Sequence, residues 1–218
     1  MLQEIPLQHD PVDLPDDVAD LLDVAERRCE AFYAEGLGPR YYRYVPSDPT
    51  VVFRAMDYLV KSRQLRGMRF CELGCGFGIA TGMAALLGFR ASGIELETEL
   101  FERAKALHRD VGLDVEILNE SYLPEGYESV QGIGGKDLVV PSGGQSRGGS
   151  LDAPTYEGID PAEVDLFFVY PWPDEEEFMR QLFDEVASDG AVLLMYQGEG
   201  EISAYLREEE GDDFGDFG

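Results

Sequence analysis

Residues 68–82, Met-Arg-Phe-Cys-Glu-Leu-Gly-Cys-Gly-Phe-Gly-Ile-Ala-Thr-Gly, constrain the fold more than any other stretch of the chain. The apolar run closing on Glu72 predicts a short buried strand. Gly74, Gly76 and Gly78 then make a tight turn, and Ile79 to Leu87 carry the apolar content of a helix. Glycines at alternate positions let backbone N–H groups approach a ligand that any Cβ would hold away. The helix behind them points its positive end into the same space. A dinucleotide fingerprint beginning at Gly76 would need glycine or alanine where Thr81 stands. The pattern present is instead E-x-G-x-G-x-G from Glu72 to Gly78.

A chain of 218 residues suffices for one α/β domain with short extensions. It has no run of 18 apolar residues, and its first residues lack the basic and apolar parts of a signal peptide. With Cys29, Cys71 and Cys75 forming no zinc-ligand set, the expectation is a reduced, cytoplasmic protein with no metal and no membrane contact. The 17 basic and 44 acidic residues leave a net charge of −27, and the only lysines are Lys61, Lys105 and Lys136. A field of that sign opposes phosphate contact, so nucleic acid is an unfavoured partner. It also fits either the surface of a protein from high-salt cells or an ordinary acidic protein with an acidic tail.

Taken in order, residues 1–14 read as irregular, and Asp16 to Ala34 as a helix with Val18, Leu21, Leu22 and Ala25 on one face. Arg40-Tyr-Tyr-Arg-Tyr44 interleaves arginine with aromatics before Pro46 and Pro49. Such a segment either covers a pocket or packs the N-terminal extension onto the core. Ser47 or Asp48 caps the next helix, with Pro49 in its first turn. Arg63, Arg66 and Arg69 read as a solvated helix end. Phe89 to Leu96 predicts a second strand ending at Glu95, 17 residues after Gly78. A carboxylate there either accepts hydrogen bonds from a ribose diol or merely precedes a helix. Asp114 to Leu118 predicts a third strand, followed by Asn119-Glu120-Ser121.

Residues 124–162 hold nine glycines and four prolines, the composition of an insertion or binding loop, with a short hairpin strand expected within 133–140. Asp165 to Tyr170 is a buried strand that Pro171-Trp172-Pro173 breaks, and Gly190 to Tyr196 is the fifth strand. Residues 199–218 contain eight acids and one arginine, which predicts a disordered acidic tail from residue 201. The expected sheet thus has about five strands, a shortened C-terminal half, and an open edge for a second copy to cover.

Together the glycine motif and the correctly spaced Glu95 resemble the first two motifs of class I S-adenosylmethionine-dependent methyltransferases. The resemblance implies a Rossmann-like three-layer α/β fold with a mostly parallel sheet, spanning residues 46–200 behind a helical extension over 1–45. It implies cofactor contacts from Glu72, Gly74, Gly76, Gly78 and Glu95, with Glu120 facing the adenine. Tyr170 and Trp172 would shape the acceptor site, at the place of the family's fourth motif. That tip lacks the Asn or Asp and paired prolines of adenine and glutamine amino-methyltransferases. It matches only the end of the Pro-x-Pro-Trp-Pro run of tRNA guanine-N7 methyltransferases, and Asp174 to Glu177 replace the lysines that follow there. His9 lies in the N-terminal stretch and His108 near a helix end, where a capping role is expected. The implied function is methyl transfer to a small molecule or a protein side chain. Alternatives are a binding module of the same fold without turnover, or another nucleotide-binding α/β protein.

Overall fold

The structure is a computed structural model describing residues 1–8, 13–123, 156 and 158–208. The predicted hairpin strand within 133–140, His9 and the tail beyond Glu208 lie outside the described residues.

Arg69–Leu73 forms β2, whose side chains from Phe70 onward are buried. It lies parallel to β3 (Arg90–Ile94) on one side and to β5 (Leu166–Val169) on the other. β4 (Glu116–Leu118) extends the sheet beyond β3, and β6 (Val192–Gly198) extends it beyond β5. Strands buried on both faces read as continuous apolar runs, which is why Leu-Phe-Phe-Val stood out in the sequence.

Two further strands correct the expected count. β7 (Glu201–Arg207) pairs antiparallel with β6, and β1 (Leu2–Ile5) pairs antiparallel with β7. Among the described residues the sheet is therefore seven-stranded, in the order β1-β7-β6-β5-β2-β3-β4. Residues 201–207 belong to it rather than to a disordered tail, and Leu2–Ile5 is not irregular. The edge of β6 that was expected to stand open is covered by the two ends of the chain itself.

α1 (Asp16–Ala34), α2 (Pro49–Lys61), α3 (Ile79–Leu86) and α4 (Thr98–Val111) cover one face. Their core joins Leu21, Met56, Leu59, Met83 and Leu107 to Phe70, Phe168 and Leu194 of the sheet. α5 (Glu176–Val186) covers the other face, packing Phe178, Met179, Leu182 and Phe183 on Phe167, Val169 and Leu193. The Asp48 side chain caps α2 by accepting the Thr50 and Val51 N–H groups, with Pro49 at the first helical position. Arg66 is more than a solvated helix end. Its guanidinium donates to Asp165 at 2.9 Å and to the carbonyls of Asp189, Ala162 and Val164 at 2.6, 2.9 and 3.0 Å, tying down the start of β5 and the turn before β6. No described helix is long and apolar enough to cross a membrane.

The chain runs β2-β3-β4 outward on one side of the sheet, then returns through β5 to the other side of β2. In open parallel sheets such a reversal leaves a crevice beyond the carboxyl ends of the two central strands, and ligands bind there.

Candidate functional site

The crevice is present as a cavity of about 290 Å³, at the small end of ligand sites, roughly 300–1,000 Å³. Its walls come from the turn after β2, the end of β3, Ser121 to Leu123 after β4, Phe168 to Trp172 at the end of β5, and Arg40 to Ser47 before α2.

The turn after β2 satisfies most of its own amides. The Gly74 and Cys75 N–H groups both donate to the Ile94 carbonyl at 2.9 Å, and Gly78 N–H donates to Cys75 at 2.7 Å. Gly76 N–H donates to Oε2 of Glu95 at 2.7 Å, and Glu97 N–H donates to its Oε1 at 2.8 Å. These bonds fix the Glu95 carboxylate at the cavity wall, and each oxygen keeps a further lone pair. Glu72 is held by Thr81 of α3, whose N–H and hydroxyl both donate to Oε2, at 2.9 and 2.6 Å. The Glu72 carboxylate thus fastens the end of β2 to the first turn of the helix behind it.

Both carboxylates are only 7 % exposed. Burial pushes Glu72 up to about 8, with the Glu95 charge adding to the rise and the two Thr81 bonds opposing it. Burial also raises Glu95, against the pull of the Glu97 and Gly76 amides. Such a pair gains from a nearby positive group. The turn is thus a poor phosphate cradle: its amides serve Ile94, Cys75 and Glu95, and two carboxylates face the space a phosphate would need.

The segment before α2 roofs the site. Tyr44 stacks on Phe77 with centroids 4.9 Å apart, and its hydroxyl meets Cys29 Sγ at 3.2 Å. Phe32 of α1 packs edge-on against both rings. Gly76 has φ +56, and a Cβ there would lie 2.5 Å from the Tyr44 ring. Arg43 reaches across to donate to Oε1 of Glu175 at 2.8 Å, with its guanidinium over the Trp172 ring at 5.4 Å. Tyr42 meets Trp172 edge-on at 6.3 Å. Both readings of this aromatic stretch hold, since it packs α1 onto the core and walls the cavity.

Of the residues singled out by sequence, Glu72, Gly74, Gly76, Glu95, Tyr170 and Trp172 line one cavity. Gly78 and Glu120 are not among its lining residues. Gly78, with φ +70, caps α3, and a Cβ on it would lie 2.6 Å from Cε1 of His108. Its glycine serves packing against α4. Glu120 lies close enough to Cys71 for its charge to help raise that buried thiol. His108 does not cap its own helix: it is buried, and Nε2 bonds the Gly78 carbonyl at 2.9 Å. Burial lowers its pKa, so the ring is neutral and Nε2–H is the donor.

Sequence reasoning missed Tyr122 and the role of Glu175. Tyr122 lines the cavity beside Gly74 and is pushed up to about 12, chiefly by burial and then by the Glu175 charge. Its only sequence signal was its place just after the third strand. No described group of three or more His, Cys, Asp or Glu side chains is placed to hold a metal ion.

No family model matches the chain, and no curated protein matches it. Among solved structures it is similar to an RNA methyltransferase from Salinibacter ruber in complex with S-adenosyl-L-homocysteine. That likeness has 19 % identity over 78 % of this chain and 98 % of the other, with a TM-score of 0.49. An S-adenosylmethionine-dependent methyltransferase from Clostridium acetobutylicum is 14 % identical over 77 % of this chain and 56 % of its own, with a TM-score of 0.45. A Thermus thermophilus 16S rRNA methyltransferase in complex with AdoMet and guanosine is 11 % identical over 76 % and 44 %, with a TM-score of 0.49. At such identities, what the crevice binds has to be read from its own residues.

Proposed function

We propose that the chain is an S-adenosylmethionine-dependent methyltransferase acting on a small molecule or a protein side chain. The observation that carries this reading is the pair of buried carboxylates, Glu72 and Glu95, on the wall of a switch-point cavity whose glycine-turn amides are largely satisfied within the protein. That wall favours a ligand bearing hydroxyls over one bearing a polyphosphate, and a positive group on the ligand would favour the ionised form of Glu72, which burial otherwise holds at about 8. S-adenosylmethionine joins a sulfonium to a ribose diol with no phosphate, whereas NAD and ATP carry a pyrophosphate or triphosphate. When bound, the sulfonium supplies an electrophilic methyl group with a good leaving group built in.

The protein's part is positioning. Glu95 offers its remaining lone pairs to a ribose diol, and Glu72 offers Oε1, since both Thr81 bonds fall on Oε2. The Tyr44–Phe77 stack shields the glycine turn from water. Tyr170, braced edge-on against Tyr196 at 4.8 Å, and Trp172 set the walls beside the acceptor. Holding a nucleophile in line is worth up to roughly 7–11 kcal/mol in favourable systems. Among the described residues the lining includes no histidine, burial raises both Tyr122 and Tyr170, and Glu72 at about 8 is largely protonated, so none of these groups serves as a base at neutral pH. That observation favours an acceptor that reacts through a lone pair already free. It is also the ground for a second reading, a cofactor-binding module without turnover.

Calorimetry against S-adenosylmethionine, S-adenosylhomocysteine, NAD and ATP tests the assignment. We expect the sulfur cofactors to bind far more tightly, and Glu95→Ala to weaken them by about 1.5–3 kcal/mol, the scale of hydrogen bonds to a charged group. Tight NAD binding with no response to either sulfur cofactor would sink the proposal. Methyl transfer to a metabolite panel then separates enzyme from binding module.

A further inference from the structure

We propose that the face of Trp172 and the carboxylate of Glu175 form an acceptor subsite for an organic cation, an ammonium or guanidinium group, which Arg43 occupies in the free protein as an internal stand-in. This rests on reading the cavity as a methyl-transfer site, and it names the recognition handle of the acceptor.

Glu175 is 5 % exposed and stands at the N-terminus of α5, its N–H bonded to the Trp172 carbonyl at 2.9 Å. A carboxylate so buried needs a positive partner. Arg43 supplies one, with Nη2 2.8 Å from Oε1 and the guanidinium 5.4 Å from the Trp172 centroid. Carboxylate and aromatic face together are the two contacts by which proteins hold organic cations.

The two partners differ in what they can do when a ligand arrives. Glu175 is fixed by its helix and cannot follow a displaced partner into water. Arg43 sits on the segment 40–47, between the 63 %-exposed Tyr42 and the anchored Tyr44, and its long side chain can swing outward. An entering cation releases Arg43 to solvent and leaves Glu175 paired. An entering anion would claim Arg43 and leave a buried carboxylate alone, which is the costly outcome. The described lining has the same bias: Glu95, Glu97 and Glu175 outnumber Arg40 and Arg43 even with Glu72 protonated. Cations are drawn there and anions repelled.

The test is a calorimetric titration of the full chain, with and without saturating S-adenosylhomocysteine. The probes are agmatine, tyramine, 4-hydroxyphenylacetate and a short arginine-containing peptide. Agmatine and tyramine should bind saturably and 4-hydroxyphenylacetate should not. Glu175→Gln and, separately, Trp172→Ala should weaken cation binding, the former by about tenfold or more. Arg43→Ala should strengthen it several-fold, because the internal competitor is gone. A peptide that outcompetes agmatine assigns the cation to a protein side chain, and the reverse order assigns a small molecule. The inference is overturned if Arg43→Ala leaves cation binding unchanged or weakens it, or if 4-hydroxyphenylacetate binds and needs Arg43. Cation binding without any S-adenosylhomocysteine binding would overturn the methyltransferase reading alone, and the reverse would overturn this inference alone.

Discussion

Burial holds the Glu72 carboxyl at about 8, against 4.5 for the free group, so the folded protein binds a proton there more tightly than the unfolded chain does. The stabilisation this gives is fully present below the unfolded value and is lost as pH rises through about 8. Glu95 is raised by the same cause and adds in the same direction. The ligand-free protein should therefore lose thermal stability as pH rises from about 4.5 to about 8, with no further loss from Glu72 above that. Glu72→Gln keeps an oxygen for the Thr81 bonds and removes the charge, so its melting temperature should exceed the parent's at alkaline pH. The two should converge in mild acid, and each kcal/mol should appear as about 2–4 °C in a chain of this size. Parallel Tm profiles for parent and variant would show that Glu72 is not titrating. The glycines make a second contrast at this scale. Gly76→Ala pushes a Cβ into the Tyr44 ring, so it should lower cofactor affinity by unseating the roof. Gly78→Ala pushes a Cβ into His108, so it should lower Tm. Each also suffers the left-handed backbone cost of about 1–2 kcal/mol. Equal effects of both variants on affinity and on Tm would contradict this division.

At the scale of elements, local pattern and long-range pairing were unequally legible. α1, α2, α4 and α5 announce themselves by apolar periodicity, and β5 by its unbroken apolar run, because each signal lies within the element. β7 has period-two alternation in Ile202, Ala204 and Leu206, yet the surrounding acids outweigh it in any window of composition. β1 is four residues long and gains its partners from the far end of the chain, Leu2 opposite Arg207 and Ile5 opposite Ala204. Nothing in four residues encodes a partner two hundred residues away. The site divides in the same way. Glu72, Gly74, Gly76 and Glu95 fall at motif spacing and could be read, whereas the Arg43–Glu175 pair joins residues 132 apart in sequence. A truncation series checks the strand assignment. Removing residues 209–218 should leave Tm and cofactor affinity unchanged, because that stretch is acidic and Gly-rich. Ending the chain at Gly200 deletes β7 and strips β1 of its partner, so it should abolish cooperative unfolding or cause aggregation through the bared edge of β6. A chain ending at Gly200 that melts like the parent would show that β7 contributes nothing.

For the whole molecule, the electrostatic field decides which partners can approach, and we expect nucleic acid not to be among them. A net charge of −27 repels a phosphate backbone at long range, and what affinity remains must come from local cation contacts. Among the described residues these reduce, at the cavity, to Arg40 and Arg43. Arg43 is engaged with Glu175 and lies over Trp172, while Arg40 rests over the Tyr41 ring at 5.2 Å. Arg66, Arg69, Arg103 and Arg207 each pair with a carboxylate elsewhere on the surface. Binding should thus be absent even where salt screening is weakest, since screening at higher ionic strength only removes phosphate contacts. Electrophoretic shifts with tRNA and single-stranded DNA at low salt make the check under the conditions most favourable to binding. No saturable shift is expected. A saturable shift that Arg40→Ala and Arg43→Ala together abolish would overturn this, placing a polyanion at the cavity mouth and reopening the comparison with guanine methyltransferases.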